Sequence, residues 1–325
     1  MNEAYCLLPS KTANMYDMKI QTKTFPRFSH ILWMLLLIIA LRAGYYWTSD
    51  GFSISKIKNT FPITSEWQLP PPSTKEQKQI HAICAQSFSY LGKGSQVYAF
   101  ISEDKQYVLK LFKCYHLKPV DWIARLPLPE TFAKMRDTAL DKRYKKIDTS
   151  LKSYKIASQA LKDECGLISL EIVPTPSLNQ QVVLFDKLGR KHTINLGDYG
   201  YILQKRADLV YPRLSYWIAN HDMESAKKAI GSLVALIVQR SKKGIQDSDP
   251  DLHKNAGLIG TTAIFIDLGS FHVNKEAKNE EVYMQDINKI TNRLREWLEK
   301  QSPELHRYLL QEITNASSSH WQKPG

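Results

Sequence analysis

The residues best placed to do chemistry lie between Gly244 and Gly269. Asp247, Asp249 and Asp251 alternate along a turn that contains Pro250. Asn255 follows, then the apolar runs Ala256–Ile259 and Thr262–Ile266, then Asp267-Leu268-Gly269. Two short β-prone runs around a glycine predict a hairpin. Such a hairpin would bring Asn255 and Asp267 to one end, where their oxygens could share a divalent cation. Magnesium accepts one or two protein oxygens and fills its other positions with water and phosphate. A carboxylate of the turn, Asp247, Asp249 or Asp251, could serve as a general base. Acid-rich turns also occur simply because Asp satisfies turn backbone. His253 is read as loop support.

A second constellation lies upstream. Residues 86–113 read as strand, glycine loop, strand, turn, strand. The loop holds Gly92 and Gly94, followed by Val97, and the third strand carries Lys110. Glycines here would let backbone N–H groups approach phosphate oxygens with no Cβ in the way. Taken alone, the segment also fits a plain hairpin with a surface lysine.

Taken together, the two constellations resemble the protein-kinase-like phosphotransferases. The resemblance covers about residues 86–275. It implies an α+β, two-lobed fold, with a β-rich amino-terminal lobe and a short helical carboxyl-terminal lobe. It implies ATP and Mg2+ as cofactors. Gly92, Gly94, Val97 and Lys110 would bind the nucleotide, with Lys110 also in the catalytic set. Asn255 and Asp267 would hold the metal, and Asp249 would accept the acceptor's hydroxyl proton. The family's Asp precedes its Asn by five residues. That position is Pro250 here, so Asp249 is reached by a one-residue insertion, leaving Asp247 and Asp251 around it. Tyr201–Ala207 falls where the family's hinge would lie. The family's regulatory-helix glutamate has no clear match; Glu164 and Glu130 are its candidates. The absence of Ala-Pro-Glu and the brevity of the chain after Gly269 resemble the bacterial small-molecule and lipopolysaccharide-sugar kinases.

Several elements must position these residues. Residues 114–150 read as a basic insert, helical from Glu130 to Lys145, followed by a separate helix over Leu151–Cys165. Gly166–Val173, Gln180–Phe185 and Gly200–Lys205 read as strands. Met223–Lys243 is an amphipathic helix capped by Gly244. Val282–Lys300 and Pro303–Thr314 read as the last two helices. The expected organisation is a polar segment 1–30, a membrane helix 31–47, a linker 48–78, an N-lobe 79–206, a C-lobe 207–314 and a tail 315–325.

Ile31–Leu41 carries no charge, and Tyr45, Tyr46 and Trp47 extend it past Arg42. Three readings stand: a single-pass anchor with Arg42 snorkelling, a secretory signal beginning at Met18, and a buried core helix. Lysines and arginines flank both ends, so orientation is open. The 325 residues carry a net charge of +12, which suits anionic partners. No zinc spacing or basic–aromatic RNA motif appears, so nucleotide and membrane are the expected partners rather than nucleic acid. The acceptor is unnamed by the sequence. Cys6, Cys84, Cys114 and Cys165 form no metal or redox spacing. Alternatives to an active phosphotransferase are a pseudokinase-type binding module at a membrane and a basic structural protein without a nucleotide site.

Overall fold

A computed structural model describes residues 26–58, 65–114, 123 and 125–317. Most of the polar segment 1–30, residues 115–122 of the insert and residues 318–325 of the tail lie outside the described residues. The chain divides into two compact units, Met1–Trp47 and Thr48–Gly325. The first is dominated by α1 (Pro26–Ser49). Within it His30–Ser49, 20 residues, is long and apolar enough to cross a membrane. At 1.5 Å per residue it reaches about 30 Å, one hydrocarbon thickness.

The second unit is a mixed α+β structure. Its strands are β1 (Ser87–Lys93), β2 (Val97–Ser102), β3 (Tyr107–Phe112), β4 (Leu167–Glu171), β5 (Gln181–Phe185), β6 (Lys191–Asn195) and β7 (Tyr201–Lys205). They form one sheet in the order β4-β7-β3-β2-β1-β5-β6. Neighbours are antiparallel except β1 and β5. Side chains alternate across the pleat, so the faces are separately filled. Leu109, Leu111, Tyr201 and Leu203 enter one core, with Phe88 and Phe100. Ile202 and Phe112 enter the other. Each fully buried Leu, Ile or Phe contributes about 1.5–3 kcal/mol relative to exposure.

The first core is closed by α2 (Ile54–Ile57) and α3 (Thr74–Cys84). This corrects the expected linker over 48–78. Phe52 is 1% exposed and packs edge-on against Tyr98 and Phe100, and Ile57 is fully buried. Two large apolar residues among polar neighbours left too little periodicity to read as an element. Ser73 and Glu76 form a reciprocal capping box that starts α3.

The second core gathers α4 (Glu130–Ala160), α5 (Val210–Ala219), α6 (Met223–Lys242), α8 (Glu280–Gln301) and α9 (Pro303–Ser317). Here the insert departs from expectation. The helices read over Glu130–Lys145 and Leu151–Cys165 merge into one continuous helix of 31 residues that ends at Ala160, short of the expected Cys165. No proline or glycine stands between Pro129 and Gly166 to break it. Its first half is largely exposed, while Leu151, Ser153, Tyr154 and Ala157 are buried. Gly244 ends the run after α6 at φ 73°, a backbone that favours glycine. There follow β9 (Ile245–Asp247), α7 (Leu252–Asn255) and the hairpin β10 (Ala256–Ile259)–β11 (Thr262–Phe265). The short β8 (Asp208–Leu209) pairs with β10, and β12 (Phe271–Val273) with β9.

Glu171 on β4 is 3% exposed and accepts one hydrogen bond, from Thr175 Oγ1 at 2.9 Å. Burial pushes its carboxyl up to about 7. The folded chain therefore binds more protons than the unfolded chain between the ordinary Glu range and about pH 7, and stability falls as pH rises through that window. Glu171→Gln is expected to melt about 2–4 °C above wild type at pH 8, with the gap closing by pH 5. A gap independent of pH in scanning calorimetry would refute this.

Candidate functional site

The two constellations meet in a cleft of about 510 Å³. Gly92, Gly94, Val97, Lys110, Asp249 and Asp267 all line it. Asn255 does not.

The glycine loop joins β1 and β2. The ladder shifts register between Tyr90 and Gly92, a bulge that bends the loop. A Cβ on Gly92 would meet nothing within 4 Å, and on Gly94 only Val97 Cγ2 at 3.5 Å. The chain's own packing thus leaves the cleft side of both glycines open. Lys113 Nζ donates to Gly94 O, and Lys113 N donates to Gln96 O at 2.8 Å.

Lys110 stands on β3 opposite Ala99 and Ile202, on the cleft face of the strand. Its ammonium donates to Ile266 O. Desolvation pulls its pKa down to about 8, with the Asp267 carboxylate opposing that shift. Asp267 lies two residues past the end of β11, and its Oδ1 accepts from Gly269 N at 3.1 Å. The sheet thus supplies the cation and the hairpin supplies the anion facing it.

Asp249 is held by its backbone on both sides. Its N–H donates to Asp247 Oδ1 at 2.9 Å, and its C=O accepts from Asn255 Nδ2 at 2.6 Å. Asn255 is 7% exposed, and its own C=O accepts from Ile266 N at 2.8 Å. So Asn255 sits between the acidic turn and the Asp267 strand and ties them together. Asp251 lies off the cleft: it caps α7 through His253 N and pairs with Arg293 at 3.4 Å. His253 stacks edge-on against Tyr211.

Two neighbours of the cleft are missed by sequence reasoning. The Tyr154 hydroxyl on α4 donates to Gln96 Oε1 in the glycine loop, and Gln96 Nε2 donates to Ser150 Oγ at 2.8 Å. Burial, with Asp267 nearby, pushes the Tyr154 phenol far above its ordinary range, so it stays a donor. One residue earlier, Ser153 Oγ donates to Leu268 O and accepts from Phe271 N, both at 2.6 Å. Ser150, Ser153 and Tyr154 at helical spacing inside an apolar stripe are the signal that could have revealed this latch. The candidate helix glutamates lie elsewhere: Glu164 pairs with Lys243, and Glu130 with exposed Lys134. The carboxylate that acts on Lys110 is Asp267. Of the expected hinge strand, Ile202 reaches the cleft wall, while Gln204 turns its amide to Cys165 O and Phe265 O.

Beneath the turn lies a buried charge cluster. Arg240 on α6 is fully buried, pairs with Asp286 on α8 and stands 3.8 Å from Asp247 Oδ2. Its guanidinium also lies over the Phe265 ring at 5.3 Å. Asp247 Oδ1 accepts from Ser270 Oγ as well as from Asp249 N. Burial raises the Asp286 carboxyl, and Arg240 opposes that shift.

The cleft wall carries four lysines (Lys93, Lys110, Lys146 and Lys254) against two aspartates. Lys93 is committed to Asp50 at 3.2 Å. An excess of cation beside open glycines suits a polyanion. Among the described residues, no group of three or more His, Cys, Asp or Glu could hold a metal. Magnesium does not need one: one carboxylate plus phosphate oxygens is an ordinary set.

No family model matches the chain, and no curated protein matches it. Solved structures of WbdD are similar to part of it. One, a co-crystal with the kinase inhibitor LY294002, is 15% identical over 69% of this chain and 44% of that chain, with a TM-score of 0.32. Another, titled the bifunctional kinase-methyltransferase WbdD, is 16% identical over 71% and 45%, with a TM-score of 0.31. The likeness is distant. The chain spans less than half the length of those structures.

Proposed function

We propose that the chain is a divergent, kinase-like, two-lobed phosphotransferase that uses ATP and magnesium, tethered to a membrane by α1. One observation carries the reading: residues from β1, β3, the acidic turn and the end of β11, far apart in sequence, share one cleft with an excess of lysine. The open Gly92 and Gly94 positions give phosphates room, and Lys110 supplies a buried cation to orient them. Asp267 supplies the oxygen for magnesium, which would neutralise charge on the phosphates. Asn255 holds Asp249 in place, and its amide oxygen is the second candidate ligand. The Asp249 carboxylate takes the proton of the acceptor's hydroxyl. The acceptor oxygen then bonds the terminal phosphorus, the bond to the bridging oxygen breaks, and its electron pair leaves with ADP. Ser153 and Tyr154 keep the loop and the Asp267 segment in register.

The test is a thermal shift with ATP and Mg2+ on the full chain. A specific ligand raises Tm by mass action. Lys110 loses its charge as pH rises through about 8, so the shift is expected to shrink between pH 7 and pH 9. No shift at about 100-fold excess over a typical nucleotide Kd would remove the nucleotide site.

A second reading, a binding module without catalysis, is favoured by the α4 side. Tyr154 and Ser150 pin Gln96 where a flap would move, and no α4 carboxylate pairs with Lys110. It binds nucleotide in the same assay and differs only in turnover.

A further inference from the structure

Next to the cleft lies a shallower groove of about 360 Å³. Its walls include Lys142, Lys145, Lys146 and Thr149 from α4, and Ser248 and Ser270 from the turns around Asp249 and after Asp267. Lys146 and Ser270 border both cavities, so the groove opens onto the cleft. The three lysines fall at i, i+3 and i+4 of one helix, which places them on one face. Among the described residues, no carboxylate lines the groove. Among the described residues, none of the three ammonium groups has an ion-pair partner, and nearby Asp148 is taken by Lys152 at 2.7 Å. Ser248 is the residue before Asp249, the candidate base. A surface helix ordinarily intersperses its charges and pairs them at i+4, as Glu130–Lys134 and Asp148–Lys152 do here. The groove breaks that pattern beside the cleft, with which it shares Lys146 and Ser270.

The geometry points to an acceptor site for a small alcohol that already carries a phosphate group, with its anion held by Lys142 and Lys145 and its hydroxyl turned toward Asp249. This rests on the phosphotransferase reading and adds the substrate class. Two serines add hydroxyl oxygens to the wall: Ser270 Oγ, whose proton goes to Asp247, keeps a lone pair to accept from a polyol between the anion and the base, and Ser248 Oγ is shared with His272 Nδ1 at 3.1 Å. Such a phosphate could belong to a free sugar or inositol phosphate, or to a lipid headgroup.

The test uses the full chain in detergent and measures binding of matched pairs: glucose and glucose 6-phosphate, inositol and inositol 1-phosphate, glycerol and glycerol 3-phosphate. A lipid arm uses phosphatidylcholine vesicles with and without a phosphorylated phosphatidylinositol. At least one phosphorylated member should bind about tenfold tighter than its neutral twin, the scale of a charge-assisted contact. The preference should fall with salt. K142E/K145E should abolish it and leave the nucleotide thermal shift unchanged. K289E/K300E, an equal charge change on exposed sites of α8, should preserve it. Binding only in the lipid arm assigns the phosphate to a headgroup; binding in the soluble arm assigns it to a free ester. Equal binding of every pair in both arms overturns the proposal, and so does a preference that survives K142E/K145E. A wild type that shows no nucleotide shift refutes the phosphotransferase reading, while the phosphate preference, measured without nucleotide, still decides the groove.

Discussion

Asp267→Ala is expected to reduce phosphotransfer about 10²–10³-fold while leaving the fold intact. The magnitude is that of removing one preorganised electrostatic contact to a transition state. The fold should survive because the carboxylate's hydrogen bond in the structure goes to Gly269 N, at the cleft surface. Losing the carboxylate also removes the anion that opposes the desolvation of Lys110, so the Lys110 pKa should drop further below about 8. The variant's residual activity should therefore decline at a lower pH than that of wild type. The measurement is ADP formation against pH for both proteins, with circular dichroism to confirm folding. Equal rates in wild type and variant would leave only the binding-module reading.

The second large effect is on stability. Arg240→Leu should destabilise the unit Thr48–Gly325 by about 3–5 kcal/mol, the usual cost of stranding buried charges by removing their partner. Asp286 and Asp247 would both face the apolar side of α6 without their cation. Urea denaturation of the wild type and variant measures the loss. Arg240→Leu combined with Asp286→Leu should recover part of it, because an apolar pair costs less than a lone buried carboxylate. Full additivity of the two substitutions would mean that the residues do not interact. Asp247 also receives Asp249 N–H, so the cluster anchors the candidate base. Arg240→Leu should accordingly lower turnover by more than the fraction of unfolded protein explains.

The helices and strands with clear periodicity were legible in the chain. The helix from Met223 was readable from apolar residues at helical spacing, and the hairpin Ala256–Ile259 to Thr262–Phe265 from two short apolar runs around Gly260, each almost wholly buried. Gly92, Lys110, Asp249 and Asp267 line one cleft, a convergence that the resemblance implied and that the spacing within either constellation could not show. What escaped has common causes. Phe52 and Ile57 bury two isolated side chains in a polar stretch, and no window average registers that. The β6 strand, LysHisThrIleAsn over 191–195, has a polar surface and gives little alternation. Tyr154 was readable as an apolar helix face, yet its hydroxyl works on the opposite element, a pairing 58 residues apart that only three dimensions reveal. Asn255 has a second task that its spacing did not show: its amide nitrogen donates to the Asp249 carbonyl, which leaves the amide oxygen as the candidate ligand.

The unbroken α4 has a geometric corollary. A straight helix advances about 100° per residue, so its azimuth is a strict count of positions. Between Lys142 and Tyr154 that count keys the basic face to the residues that clasp the glycine loop and the Asp267 strand. Inserting one alanine after Ile147 would swing the lysines about a quarter turn around the barrel of the helix, while every contact of the carboxyl-terminal half stayed as it was. The shaft therefore indexes one groove against the other by its phase rather than by its length.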